Sequence, residues 1–118
     1  DKPPVDAERP KTITLTDASY EVGESAAELD GTTAVDDGGT ITYQWYQAAA
    51  ADQTNGTQIH GETAATYTPD TSVVGTYYYY VIATNTKADA TGKTTASTTS
   101  NIATITVTAI GVGRFLLM

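Results

Sequence analysis

The chain of 118 residues has no cysteine. That excludes disulfide staples, thiolate metal centres and cysteine nucleophiles. It has a single histidine, His60, so any nucleophilic relay of the Ser–His–Asp kind would have to be built on that side chain. No serine stands in a Gly-x-Ser-x-Gly elbow, and His60 followed by Gly61 reads as a solvated turn. Basic residues are scarce: 6 Lys and Arg against 14 Asp and Glu leave a net charge of −8, and the few cations are not clustered. Nucleic acid and anionic membrane surfaces are both recognised through concentrated basic charge, so neither is an expected partner. The apolar end, Phe115-Leu116-Leu117-Met118, falls far short of the ~20 residues of a spanning helix. No cofactor is implied.

What is present points to β-structure. Threonine is the commonest residue, and the 8 tyrosines outnumber the single Phe and single Trp together. β-branched and aromatic side chains suit a pleated, half-buried surface. Residues 1–11 carry three prolines and read as an extended linker. Thr12 to Thr16 alternates polar and apolar, the period of a half-buried strand, and Tyr20 and Val22 continue it. Ala26 to Val35 is a weaker strand candidate, followed by the turn Asp36-Asp37-Gly38-Gly39. Thr40 to Tyr46 is the clearest strand, with Ile41, Tyr43 and Trp45 on one face and Thr42, Gln44 and Tyr46 on the other. Gln47 to Gly56 reads as a connection with room for one helical turn. Short strands are expected at Gln58–His60 and Ala65–Thr68. A long one spans Thr76 to Thr84, with Tyr77, Tyr79, Val81 and Ala83 on one side and Tyr78, Tyr80 and Ile82 on the other. Asn85 to Thr98 is expected to be a long hairpin loop, and Ala103, Ile105 and Val107 mark the last strand. The sum is seven to eight short antiparallel strands in one domain over 12–108, with 109–118 as a tail or fragment end.

The segments Ile41–Gln47, Ala65–Pro69, Gly75–Val81 and Ser100–Val107 resemble the bacterial immunoglobulin-like modules, which recur in tandem in secreted enzymes, adhesins and surface-layer proteins. The resemblance covers roughly residues 12 to 108. It implies an all-β Greek-key sandwich without the usual inter-sheet disulfide. Trp45 stands where such sandwiches bury an indole on the third strand, Tyr77 stands at the tyrosine-corner position, and Tyr79 stands at the second cysteine position. Tyr79 packed against Trp45 would then replace the covalent bridge, with Tyr43, Val81 and Ile105 completing the core. The resemblance further implies a non-catalytic spacer in a larger extracellular or cell-wall protein of a bacterium, expected to be Gram-positive. Gram-positive exoproteins often avoid cysteine, but so do many cytosolic proteins, so that absence does not fix the compartment. Its partners would be the adjacent domains of the parent chain. A chain beginning at Asp1 fits an excised module.

Two other functions compete. If Trp45, Tyr77 and Tyr79 point inward, period-two geometry places Tyr46, Tyr78, Tyr80 and Ile82 outward as an aromatic face, suited to a glycan or to a host or cell-surface protein. An accessory domain of a secreted glycan-degrading enzyme is the third reading. Lesser candidates are calcium at Asp30, Asp36 and Asp37, whose spacing is not that of an EF-hand loop, and a Lys11–Asn101 isopeptide crosslink, for which no acidic partner can be named.

Overall fold

The computed structural model describes residues 3–52 and 54–110. Within them lie eight strands and no helix: β1 (Ala18–Glu21), β2 (Leu29–Asp30), β3 (Thr40–Ala48), β4 (Thr57–Gln58), β5 (Thr66–Tyr67), β6 (Gly75–Thr86), β7 (Thr95–Thr99) and β8 (Ala103–Thr108). They form an immunoglobulin-like sandwich. One sheet runs β1-β8-β6-β3-β4, with β7 also on β6; the other is the β2–β5 pair. All pairings are antiparallel except β1 with β8, which is parallel, so the expected wholly antiparallel arrangement needs that correction.

The core follows strand parity. Trp45, Val81, Ala83, Ala103 and Ile105 are fully buried, with Ile13, Leu15, Leu29, Tyr79 and Val107 beside them. Each large apolar side chain so placed contributes about 1.5–3 kcal/mol relative to exposure. Trp45 faces Val81 across the β3–β6 ladder, and its indole N–H donates to the Ala64 carbonyl at 2.8 Å. The second sheet can close over it because residue 31 is glycine. A Cβ there would lie 2.9 Å from Val81 Cγ1 and 3.2 Å from Trp45 Cζ2. Tyr79 does not stack directly on the indole. Tyr67 stands between them, its ring 5.6 Å from that of Trp45 and 5.1 Å from that of Tyr79. Tyr77 makes the expected corner, its hydroxyl donating to the Val73 carbonyl at 2.7 Å.

Several expected elements differ. The hairpin loop over 85–98 is shorter, because β6 runs to Thr86 and pairs with β7 from Thr95. Polar Thr-Asn-Thr sequences there face water on one side only, while Asn85 is buried. The Gln47–Gly56 connection holds no helical turn among its described residues, and the strand expected over 26–35 contracts to Leu29–Asp30. Thr12 to Thr16 keeps its parity, with Ile13 and Leu15 buried, but is not a ladder strand.

The reason lies opposite, in the last strand. Between the pairs Ile82↔Thr99 and Tyr79↔Ala103 the register slips by one residue, which is a β-bulge at 100–102. Ser100 Oγ accepts from Val81 N at 3.0 Å there. Asn101 turns its amide onto Leu15, accepting from Leu15 N at 2.6 Å and donating to Leu15 O at 2.9 Å. A side-chain amide thus does the pairing that backbone would do in a ladder.

From Val5 onward the expected linker is also held to the body. Gly92 N donates to Val5 O and Ala7 N to Lys93 O. Asn85 Nδ2 donates to Glu8 O, and Thr98 Oγ1 to Pro10 O. Ala7 and Pro10 are buried. Partners rise together along the chain, from Val5 with Gly92, through Leu15 with Asn101, to Glu21 with Thr108. Residues 5–21 therefore lie parallel to 92–108 along the full length of the sandwich.

Candidate functional site

The outward face of β3 and β6 was the expected binding surface. Tyr46 and Tyr80 are cross-strand partners on it, with rings stacked at 5.1 Å and 4°. Tyr46, Tyr78 and Ile82 are half-buried. Tyr80, however, is only 1% exposed, which corrects its assignment as an exposed anchor. The connection after β3 folds back over it: the Tyr80 hydroxyl donates to Thr54 O at 2.6 Å and accepts from Gly56 N at 2.8 Å. The hydroxyl is thereby satisfied by the loop that covers the ring, as buried polar groups require.

The remaining candidates are engaged in structure. Lys11 is exposed and pairs with Asp36 at 3.0 Å, while Asn101 is spent on Leu15, so the two side chains expected to crosslink have separate partners. Asp36 and Asp37 do not act together. The Asp37 carboxylate accepts from Glu8 N and Gly39 N, each at 2.9 Å, and from Asn85 Nδ2 at 3.0 Å. Those bonds, first the one from Glu8 N, hold its pKa below the ordinary carboxylate value. Its role is to fasten the N-terminal arm to the end of β6. Gly39 must be glycine for this, since a Cβ would collide with Asn85. His60 is exposed, in the turn after β4.

One opening was not foreseen. At the end of the sandwich where β6 begins, the gap between the sheets is a cleft of about 330 Å³ lined by Gln47, Tyr67, Asp70, Val73, Tyr77 and Tyr79. Gln47 and Tyr79 are cross-strand partners on the inner face. Among the described residues, the two-stranded second sheet has no further strand beyond β5 to cover them. The Tyr77 and Tyr79 rings stack at 6.4 Å, and Tyr67 leans over Tyr79 at 54°. Burial raises the pKa of both the Tyr67 and the Tyr79 hydroxyl. Asp70 at the rim is held below the ordinary carboxylate pKa by the Ser72 N–H, which donates to it at 2.9 Å. Period-two parity signalled Tyr77 and Tyr79 but not Tyr67, whose two-residue strand is too short to show a pattern.

A family model described as a domain of unknown function, DUF8696, matches residues 9–109. The chain belongs to this family. The matched span takes in the docked segment from Arg9 as well as every strand. Among solved structures, the PKD domain of human KIAA0319, determined in solution, is similar with a TM-score of 0.57 and 16% identity, covering 96% of this chain and 93% of that one. At that identity the likeness is one of fold. No curated protein matches the sequence.

Proposed function

We propose that this member of DUF8696 is a non-catalytic spacer module of a larger bacterial extracellular or cell-surface protein, holding neighbouring domains apart and carrying tension between them. The observation that supports the reading is the course of the chain. Residues 3–6 lie with the loop at Lys87–Thr91 at one pole. Thr108 lies at the other, paired with Glu21 near the start of β6. Opposed pulls on the two ends slide residues 5–21 along 92–108, so the bonds between them are loaded together in shear rather than broken singly. Neighbours in such a protein are other domains of the parent chain. The rival reading, a glycan- or protein-binding face, has less support once its central ring, Tyr80, is covered.

Single-molecule pulling tests the proposal. Unfolding through the two chain ends is expected to need several times the force of unfolding through a pair of points that unzips β6 from β3. Equal forces in the two geometries would remove the mechanical reading.

A further inference from the structure

We propose that the tyrosine cleft between the sheets binds an organic cation, an alkylammonium or guanidinium group. The cleft is lined by three tyrosines and one carboxylate, with the Gln47 amide at the rim. Among the described residues, no lysine or arginine lines it. Gln47 and Asp70 are exposed, and Tyr67 and Tyr77 are half-buried, so solvent reaches the opening. Aromatic faces carry the negative part of the ring quadrupole, and a cation near them is attracted most where water is partly excluded. Asp70 adds a full charge at the same place. A carboxylate at the opening makes the potential there negative; it is also the last of the influences, well behind burial, that push the Tyr67 and Tyr79 hydroxyls toward retaining their protons. Glu62 acts on Tyr67 in the same sense. A neutral sugar would gain the stacking but nothing from this potential; a cation gains both. The inference is independent of the spacer reading, since it concerns the gap between the sheets and not the pairing of residues 5–21 with 92–108 that carries load.

The test is an NMR titration of the whole chain at fixed ionic strength with three probes: choline, Nα-acetyl-arginine amide, and 3,3-dimethylbutan-1-ol, the neutral isostere of choline. The expected result is saturable shifts in the Tyr67, Tyr77 and Tyr79 rings with a cationic probe, at millimolar affinity. The isostere should produce none. Asp70→Asn should weaken cation binding about fivefold, as loss of roughly 1 kcal/mol of attraction does. Tighter choline binding identifies a free quaternary ammonium as the ligand, and tighter binding of the arginine amide identifies a basic side chain of a partner. The inference is overturned if neither cation gives saturable shifts, if the isostere binds as well as choline, or if Asp70→Asn retains full affinity.

Discussion

Replacing Trp45 by alanine tests whether the interior is built as described. The indole is fully buried, its ring meets Tyr67, and Gly31 and Val81 close over it. Truncating a large buried aromatic costs about 3–5 kcal/mol, transfer and cavity effects together. Loss of the Nε1 bond adds little, because Ala64, whose carbonyl accepts it, is exposed and can turn to water. Domains of this size have about 5–15 kcal/mol of stability in all, so the variant should be much weakened and its urea midpoint should fall by about a fifth or more. The assay is equilibrium urea unfolding followed by far-UV circular dichroism, since the variant loses the fluorophore. Trp45→Phe, which keeps an aromatic ring in place, should lose clearly less. A cost below about 1 kcal/mol for the alanine variant would refute the reasoning, since no close-packed indole leaves so little behind.

Asn101→Ala should cost about 1–3 kcal/mol, because both backbone groups of buried Leu15 lose their partner; faster hydrogen exchange at the Leu15 amide checks it. Gly31→Ala should destabilise by more than an exposed glycine substitution, because its Cβ meets backbone and indole at once; urea midpoints of the two variants decide. Asp37, whose pKa is depressed in the fold, lends stability that is present above the ordinary carboxylate pKa of about 3.9 and is lost as pH falls through its lower folded value. Asp37→Asn should therefore flatten the acid limb of the stability–pH curve. Tyr79 is shifted the other way: its raised pKa makes the fold resist ionisation, so stability is full below pH ~10 and declines above it as the unfolded chain loses the phenolic proton first. Tyr79→Phe should move alkaline unfolding to higher pH, read by circular dichroism.

The alternation along β3, β6 and β8 made the core legible, because one buried face imposes a period of two on each long strand. Alternation grouped Tyr43 with Trp45 and Tyr77 and Tyr79 with Val81, while the choice of inward face and the corner at Tyr77 rested on the resemblance to immunoglobulin-like modules. Features that depend on what a loop does at a distance were not legible. Tyr80 obeys the outward parity and is nevertheless buried, because the 49–56 connection returns over it. The polar, proline-bearing residues 5–10 look like a linker, since their anchoring rests on scattered bonds from Asn85, Lys93 and Thr98 rather than on an apolar pattern. The cleft was hidden for a related reason: Tyr67 lies in, and Asp70 soon after, a two-residue strand with no period to read.

The account depends on the chain running from pole to pole with its first segment docked along its last. The lack of cysteine makes this open to measurement, since spin labels at Val5→Cys and Thr108→Cys have no competing thiol. Pulsed electron resonance should give one narrow distance of about 40–50 Å, since β6 alone spans about 40 Å at about 3.3 Å per residue and Val5 lies beyond its end, against Gly92. A broad distribution, or a distance below about 25 Å, would contradict it.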